Sequence, residues 1–432
     1  MTSLDTPEFA QPEHLIPVAD YPAHMEAIPP SRMFELKKAL DNYLAKHGKD
    51  AAVYDASQGD GGASLPGVPR DLLERAFELQ VKQGTGYNQP FGTPLFRKTS
   101  FEQYWGIQPA SGWTPENIIF AQGGRDGLNK AYNAMISLGY GRVGDLLVVS
   151  RVPWISYNWG PYGIGLNVLH APGQPADGWK YTPESIIATA QFAERHNRKV
   201  AGLIITSPDN PTGLTMPLEE QIELARAALA NGYPFVLFDW MYHWVTDGGH
   251  NDINVVLQAF EPEQRERLMF IDGITKSLGA SNIRSAQLLA GSKVIKHINS
   301  QASHGVVPSF YAQAVAIAAY EKGFGEAAAP IIEPTRQSRK VLRAALEKSG
   351  APFIMGDGYY AFIDVTRYLD NSAFNDSADL GAWLGENYGV TIVPGAYFSD
   401  AGKNWVRFSY ALPPEITQKA IDRLFEGLNS LL

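Results

Sequence analysis

Short runs of apolar residues, separated by segments with helical spacing, dominate the chain between about residues 70 and 300. Each run is nearly free of polar residues. Continuous apolar strands with helices between them are typical of a largely parallel sheet that helices cover on both faces. The pattern therefore predicts buried strands at 117–121, 145–150, 165–171, 201–207, 234–239, 268–273 and 285–291.

Helical periodicity fills much of the remaining chain, and the two kinds of pattern alternate. We predict helices at 31–47, 125–139, 217–232, 309–324, 333–350 and 415–432. Gly232 is the expected C-cap of the third of these helices. Two later strands are predicted at 359–365 and 404–411.

The change of pattern near residue 310 divides the chain into two predicted domains. The larger, residues 54–323, is an α/β domain with a mostly parallel sheet that helices cover on both faces. The smaller is an α+β domain made of residues 1–53 and 324–432. Residues 1–30 are rich in proline and acid and are predicted to form an arm.

Composition and charge exclude several classes of protein. The 432 residues are 45% hydrophobic with a formal net charge of −9, so they can build two cores. The basic residues are scattered, whereas nucleic-acid binding needs a Lys/Arg patch. No apolar run reaches the roughly 18 residues of a membrane span, and the N-terminus lacks a signal-peptide pattern. We therefore expect a cytoplasmic protein with no nucleic-acid or membrane partner.

The sequence does not support cysteine chemistry, a metal site or dinucleotide binding. The absence of cysteine excludes disulfides, thiolate metal sites and a cysteine nucleophile. The nine histidines show no ligand spacing such as HxxxH, so we predict no metal site. No GxGxxG follows the first strand, which leaves a nucleotide-binding oxidoreductase poorly supported.

Residues that can carry chemistry follow several of the predicted strands. In an open α/β sheet, ligands bind at the loops that leave the carboxyl ends of strands. Gly123 and Gly124 follow the first strand and precede a helix, where free N–H groups bind anions, although such a pair alone is more often a plain tight turn. Because PDNPTG, WMYHW and ITKS follow other strands, we expect one pocket to collect their side chains.

Lys276 is the candidate reactive amine of this pocket. It follows an apolar run, has glycine and hydroxyl residues around it, and precedes Arg284 by eight positions. Desolvation and a nearby cation both lower the pKa of an amine and make it nucleophilic. Arg284 offers a bidentate donor for phosphate. A phosphate-bearing ligand held by a lysine through a Schiff base points to pyridoxal 5′-phosphate (PLP).

The other loops supply side chains that the PLP ring requires. Asp239 ends a strand and can pair with the pyridine nitrogen, so that the ring withdraws electrons. Tyr242 and Asn210 can hydrogen-bond the phenolic oxygen, and Trp154 offers a flat face for stacking. Singly, each has an ordinary explanation, such as a proline-bounded turn or a core aromatic. Together and in this order, they predict a PLP site.

These motifs resemble those of fold-type I PLP enzymes, in particular the class I/II aminotransferases, over roughly residues 28–430. SPDNPTG, the pair Asp239 and Tyr242, and the spacing of Lys276 and Arg284 match signatures of that family. WISY resembles the segment with the ring-stacking aromatic. YNQPFGTPLFR resembles the segment whose tyrosine enters the neighbouring subunit, and WVRFSYA the strand whose arginine binds a carboxylate.

The resemblance implies a homodimer that moves the amino group of an L-amino acid to a 2-oxo acid, with 2-oxoglutarate as the expected acceptor. Lys276, Asp239 and Tyr242 would be the catalytic residues. Tyr87 would reach the cofactor phosphate of the neighbouring subunit, and Arg407 would bind the substrate α-carboxylate. Cofactor binding is further assigned to Gly123, Gly124, Arg125, Trp154, Asn210, Thr275 and Arg284, and substrate binding to Asn210 and Gly59.

Substrate choice is weakly encoded. In some bacterial aspartate aminotransferases that this chain resembles, a lysine at the position of Arg125 holds the distal carboxylate, which implies an acidic substrate. Arg125 is equally explained as a helix N-terminal charge paired with Asp126. Aromatic or bulky substrates are also permitted by the aromatic residues near the site, namely Trp154, Tyr157, Trp159, Trp240, Tyr242 and Trp244.

Two alternatives use the same fold. A PLP-dependent lyase that catalyses β- or γ-elimination would carry nearly identical site residues. The effector-sensing half of a transcription regulator needs an N-terminal DNA-binding domain, and residues 1–30 are too short and too rich in proline for one. Five residues depart from the family pattern and suggest a divergent subgroup: Trp240, Asp272, Asn282, Ser285 and Ala286.

Overall fold

A seven-stranded sheet forms the centre of the molecule in the computed structural model, which describes residues 20–139 and 141–432. The strands of the chain are β1 (Tyr54–Asp55), β2 (Ile118–Ala121), β3 (Leu146–Val149), β4 (Asn167–His170), β5 (Val200–Thr206), β6 (Val236–Asp239), β7 (Leu268–Gly273), β8 (Ala286–Ala290), β9 (Phe353–Met355), β10 (Tyr360–Asp364), β11 (Val390–Thr391), β12 (Val393–Pro394) and β13 (Trp405–Ser409). The order across the central sheet is β2, β8, β7, β6, β5, β3, β4. Only β8 runs against its neighbours, β2 and β7.

Helices connect and cover these strands. They are α1 (Tyr21–Glu26), α2 (Met33–His47), α3 (Gly61–Ser64), α4 (Arg70–Gln83), α5 (Pro94–Thr99), α6 (Gly124–Leu138), α7 (Ile155–Trp159), α8 (Pro183–Arg195), α9 (Leu218–Ala230), α10 (Ile253–Gln258), α11 (Pro262–Arg265), α12 (Ser292–Ala302), α13 (Phe310–Lys322), α14 (Phe324–Ser349), α15 (Thr366–Leu369), α16 (Ser377–Tyr388) and α17 (Pro414–Asn429). A π-helical turn, Ser100–Tyr104, continues α5. The 3₁₀ turns are Pro109–Ser111, Pro115–Asn117, Pro161–Ile164, Pro175–Asp177, His243–Val245, Gly395–Tyr397 and Asp400–Gly402.

The predicted α/β class with a mostly parallel central sheet is confirmed. All residues of β2, β3, β4, β6, β7 and β8 are buried, as continuous apolar strands require. The predicted strands appear with ends that differ by at most two residues. α9 ends at Ala230 with Asn231 as its C-cap, so the predicted C-cap, Gly232, at φ +82°, lies one residue beyond the observed one.

A second, four-stranded antiparallel sheet in the order β12, β13, β10, β9 lies in the C-terminal part of the chain. Phe362 and Val393 flank Arg407 on the neighbouring strands, which sets that arginine in the middle of the sheet. The short strands β1, β9, β11 and β12 escaped prediction because two or three residues carry too little periodicity.

The helix α14 contributes side chains to both hydrophobic cores. Ile331 packs in the core of the large sheet, whereas Leu342 packs in the core of the small one. The division of the chain at residue 323 therefore stays a prediction. The predicted arm lies partly outside the described residues; within them, Tyr21–Glu26 form a short helix, because Asp20 caps it by accepting a hydrogen bond from the Ala23 amide. Within the described ranges, no helix is long and apolar enough to cross a membrane.

Candidate active site

A pocket of about 190 Å³ lies at the carboxyl ends of the parallel strands, where the sequence predicts convergence of the loops. Its walls come from the segments that follow β2, β3, β5, β6 and β7. The lining residues are Gly124, Arg125, Leu128, Trp154, Tyr157, Thr206, Asn210, Asp239, Met241, Tyr242, Thr275, Lys276, Ser281 and Arg284. Residues that are far apart in the chain thus meet in one space large enough for an aromatic ring.

Lys276 is partly buried in this pocket. Its Nζ donates a hydrogen bond to the carbonyl oxygen of Gly59 at 2.7 Å. Burial lowers the pKa of Lys276 to about 8, and the positive charges of Arg407 and Arg125 act in the same direction, while Asp60 opposes them. A larger fraction of neutral amine at pH 7 to 8 makes this lysine a better nucleophile than an exposed one.

The carboxylate of Asp239 is buried at the end of β6. It accepts hydrogen bonds from the Tyr157 hydroxyl at 2.6 Å and from the Met241 amide at 3.1 Å. The Tyr157 hydroxyl also lies 3.0 Å from Oγ1 of Thr206, the register partner of Asp239 on β5. Burial raises the pKa of Asp239 to about 6, and the hydrogen bond from Tyr157 opposes that shift. At neutral pH the carboxylate is mostly ionised and held in one orientation.

Arg284 packs against the glycine turn where α6 begins. Gly123 has φ +86°, and a Cβ there would lie 2.1 Å from Nη2 of Arg284, so only glycine lets the guanidinium pack against this turn. Arg284 donates to the carbonyl oxygens of Ser281 at 2.7 Å and Gln122 at 3.0 Å. The first amides of α6, the guanidinium and the nearby Thr275 together suit a phosphate group.

The buried Oγ1 of Thr275 has no hydrogen-bond partner within the described residues. A buried hydroxyl without a partner is costly, and a ligand oxygen in the pocket would satisfy it. This orphaned group, the glycine turn and the buried carboxylate of Asp239 fit a ring that carries both a phosphate and a basic nitrogen. The residues of the pocket therefore fit PLP.

Tyr242 and Asn210 also line the pocket, and Arg407 contacts Asn210. Arg407 is buried and donates from Nη1 to Oδ1 of Asn210 at 2.8 Å and from Nη2 to the Ser57 carbonyl at 2.6 Å. Its Nε is buried without a partner among the described residues. The Tyr242 hydroxyl lies 2.8 Å from that of Tyr360.

Gly59 contacts both Lys276 and Tyr360. A Cβ at Gly59 would lie 1.9 Å from the Tyr360 hydroxyl oxygen, so the backbone there approaches the ring more closely than any side chain allows. In the structure, the carbonyl oxygen of Gly59 therefore contacts Lys276. Its assignment to substrate binding stays a prediction.

Arg125 is exposed at the mouth of the pocket, and its guanidinium carbon lies 5.5 Å from the centre of the Trp154 ring. The alternative to a substrate-binding role was an ion pair between Arg125 and Asp126. Asp126 instead pairs with Lys130 and accepts from the Gln122 amide at 2.7 Å. Across residues 20–139 and 141–432, no ion pair within 4.0 Å involves Arg125, so its charge is available to a ligand.

Tyr87 lies outside the pocket of its own chain. It follows α4, and 99% of its side chain is exposed. A large aromatic side chain exposed to this extent is unusual in a single subunit. Whether it enters a neighbouring site stays a prediction.

Sequence reasoning did not assign roles to Tyr157 and Tyr360. Tyr157 follows Trp154 by three residues, and this helical spacing sets both rings beside the pocket, with centres 5.3 Å apart. That spacing was a usable signal. The sequence held no comparable signal for Tyr360, because its pattern is that of an ordinary strand residue and its partner Tyr242 lies 118 positions away.

Two of the departures from the family pattern, Asp272 and Trp240, belong to one buried cluster behind the pocket. Oδ2 of Asp272 lies 2.8 Å from Nε2 of His243 and accepts a hydrogen bond from the Tyr104 hydroxyl. The ring of Trp240 stacks on His243 at 5.8 Å and donates to Gln221 at 2.9 Å. Among the described residues, no cluster of three or more His, Asp or Glu side chains could hold a metal ion.

Comparisons with protein families, with curated sequences and with solved structures all find aminotransferases. The family model described as aminotransferase class I and II matches residues 56–424. The aspartate aminotransferase of Geobacillus stearothermophilus is 25% identical over 84% of this chain and 89% of that protein. The aspartate/prephenate aminotransferase of Thermus thermophilus is 25% identical over 92% of this chain and 96% of that protein. A solved aminotransferase from Mycobacterium tuberculosis has the same fold, with a TM-score of 0.79 at 21% identity over 96% of this chain and 100% of that one.

Proposed function

The chain belongs to the class I and II aminotransferases, which are PLP-dependent enzymes, and on this premise we propose that it transfers the amino group of an acidic or aromatic L-amino acid to 2-oxoglutarate. The observation that carries the proposal is the meeting of a low-pKa lysine, a buried carboxylate and Arg284 in one pocket, with Arg407 bound to Asn210 of the pocket wall. Each of these groups matches one demand of the reaction.

Several of the lining residues would bind the cofactor. When bound, PLP supplies an electrophilic carbonyl carbon and an electron-withdrawing ring that stabilises negative charge on the substrate carbon. Asp239 would hold the pyridine nitrogen in its protonated form, because an ionised carboxylate in a buried site favours a cation beside it. Arg284 and the first turn of α6 would bind the phosphate, and Trp154 would cover one face of the ring.

Lys276 would hold the cofactor and then move a proton. Once an amino substrate takes the place of Lys276 on the cofactor, the Lys276 amine is free to act as a base. A pKa of about 8 suits a group that takes a proton from the substrate carbon and returns it nearby at neutral pH. The hydrogen bond to the Gly59 carbonyl would help to hold the free amine in the pocket.

Arg407 would bind the substrate α-carboxylate. Asn210 and the Ser57 carbonyl hold two of its nitrogens, so the guanidinium is oriented before the substrate arrives. A carboxylate fixed in this way would limit the orientations that the substrate carbon can take in the pocket. Tyr242 would donate to the phenolic oxygen of the cofactor, and Asn210 would support the same oxygen.

The substrate class is proposed from Arg125 and from the names of the relatives. Two of these are an aspartate aminotransferase and an aspartate/prephenate aminotransferase. Arg125 has no carboxylate partner within the described residues, and it lines the pocket beside Trp154. A free cation at the mouth suits the distal carboxylate of aspartate or glutamate, whereas the ring of Trp154 suits an aromatic side chain.

The proposal includes a homodimer in the cytoplasm. Phe77 and Val81 expose 63% and 65% of their side chains on one face of α4, and Tyr87 follows that helix. A row of exposed apolar residues next to an exposed tyrosine suits an interface with a second copy. From there, Tyr87 would reach the phosphate of the neighbouring site. Cell fractionation tests the location.

Absorbance and a substrate panel test the proposed function. The purified protein should bind PLP and show visible absorbance, and Lys276→Ala should lose both that absorbance and turnover. Amino acids offered with 2-oxoglutarate or pyruvate should yield the matching 2-oxo acid. Release of ammonia without amino transfer would instead support the lyase, and a protein that stays colourless with added PLP would sink the proposal.

A further inference from the structure

Tyr360, the first residue of β10, contacts both Arg407 and Tyr242. Its ring lies 4.2 Å from the guanidinium carbon of Arg407, close enough for a cation–π contact. Its hydroxyl lies 2.8 Å from that of Tyr242. One side chain thus joins the carboxylate-binding arginine to the phenol that faces Lys276, whose Nζ lies 5.8 Å from the centre of the Tyr242 ring.

Packing fixes the position of the Tyr360 side chain. It is 1% exposed, and the backbone of Gly59 approaches its hydroxyl so closely that a Cβ there would lie 1.9 Å away. The ring also meets that of Tyr242 edge to face, with centres 5.6 Å apart. A side chain held from three directions transmits a change at one contact to the others.

The two hydroxyls hold two protons but share one hydrogen bond. Burial raises the pKa of both groups, so both are protonated at neutral pH. Within the described residues, neither hydroxyl has another hydrogen-bond partner. If Tyr360 donates, the proton of Tyr242 remains free for a ligand oxygen in the pocket, and a donor that itself accepts a hydrogen bond is strengthened.

We propose that Tyr360 is a positioning residue that couples Arg407 to Tyr242: its ring supports the guanidinium, and its hydroxyl donates to Tyr242, so that the Tyr242 proton points at the phenolic oxygen of the cofactor. The inference rests on the proposed function, because it assumes that Arg407 binds the substrate carboxylate. It separates two contributions of one residue, one from the ring and one from the hydroxyl.

The two contributions predict different losses. Tyr360→Phe keeps the ring, so KM for the amino acid should stay within about twofold, while kcat falls on the order of 3- to 10-fold with the lost hydrogen bond. Tyr360→Leu removes the ring as well, so KM should also rise about 3- to 30-fold. A purely structural tyrosine would not separate kcat from KM in this way.

A spectroscopic titration gives a readout other than activity. A phenolic oxygen without a donor disfavours loss of the proton from the nitrogen that joins Lys276 to the cofactor. In Tyr360→Phe, the midpoint of the pH-dependent absorbance change should therefore rise by about 0.5 pH unit or more. Tyr410→Phe is the matched control, since it also removes a buried tyrosine hydroxyl, which lies one residue beyond β13 and contacts Gly358 and Arg339 instead. Its midpoint should not move.

A double-mutant cycle decides whether Tyr360 acts through Tyr242. The midpoint of Tyr242→Phe/Tyr360→Phe should equal that of Tyr242→Phe alone, because the second hydroxyl then has nothing to act on. Additive shifts, or an unchanged midpoint in Tyr360→Phe, would overturn the inference. If the wild type shows normal absorbance and transamination while either of these outcomes occurs, the inference about Tyr360 fails and the proposed function stands. Thermal unfolding of each variant confirms that it is folded.

Discussion

Nζ of Lys276 lies 2.7 Å from the carbonyl oxygen of Gly59, and Gly59 in turn packs against the hydroxyl of Tyr360. Gly59 thus contacts two segments that are far from it in the chain, one with Lys276 and one with Tyr360. The amine that should react is held by a backbone group, which cannot rotate away as a side chain can. Its position therefore depends on how closely the Gly59 backbone approaches Tyr360.

Gly59→Ala tests that dependence. The new Cβ would lie 1.9 Å from the Tyr360 hydroxyl oxygen, so the backbone or the ring must move and the contact with Lys276 must change. We expect kcat/KM to fall at least about 10-fold, because small displacements of reacting groups are expensive. Gly163→Ala is the control, since a Cβ there meets nothing within 4 Å. Equal activity of the two variants would contradict the argument.

The amine of Lys276 should titrate well below an ordinary lysine in the cofactor-free protein. Burial and the charges of Arg407 and Arg125 lower its pKa to about 8, while Asp60 raises it. The rate of chemical labelling at Lys276 against pH should therefore have its midpoint near 8. Removal of a cation in Arg125→Ala should raise the midpoint, and removal of an anion in Asp60→Asn should lower it. A midpoint at the ordinary value of 10.5 would reject the interpretation.

The sequence predicted the central sheet and most of the pocket for a physical reason. Apolar runs end where parallel strands end, and the polar residue that follows each run, such as Asp239 or Asn210, must lie at one edge of the sheet. The role of Tyr360 could not be predicted in the same way. Its partners Tyr242 and Arg407 come from other strands and loops, and only the packed structure brings them together.

Arg125 should discriminate between substrates. If its guanidinium binds a distal carboxylate, Arg125→Ala should lower kcat/KM for aspartate by about 10-fold or more, while activity on an aromatic amino acid changes little. Arg125→Lys should restore part of the loss, because it keeps the charge but loses the bidentate geometry. Steady-state kinetics on both substrates measures the ratio. Equal losses on the two substrates would remove Arg125 from substrate recognition.

The buried cluster around Asp272 should contribute to stability more than to catalysis. Asp272→Ala removes the carboxylate that lies 2.8 Å from His243 and accepts from Tyr104, inside a fully buried region. Leaving buried polar groups without their partner costs about 1–3 kcal/mol each. Asp272→Asn keeps an acceptor for Tyr104 and should cost less. Thermal unfolding of the cofactor-free proteins measures the difference, and an unchanged Tm in Asp272→Ala would show that the pair contributes nothing.

Mixing two inactive variants tests whether the active site is shared between subunits. Homodimers of Lys276→Ala lack the amine in both sites, and homodimers of Tyr87→Ala should bind PLP weakly in both. A hybrid has one site that lacks both groups and one site that has both. Random reassociation of equal amounts makes half of the dimers hybrids, so activity at limiting PLP should recover to about a quarter of the wild-type value.

The charged substitutions Phe77→Asp and Val81→Asp on α4 should abolish this recovery, because they disrupt the apolar face that would hold the second copy. Phe34→Asp is the control: Phe34 is also exposed, at 77%, but lies on α2. Sedimentation should show that the α4 variants dissociate and the α2 variant does not. If mixing restores no activity although hybrids form, Tyr87 does not serve the neighbouring site, and its 99% exposure needs another explanation.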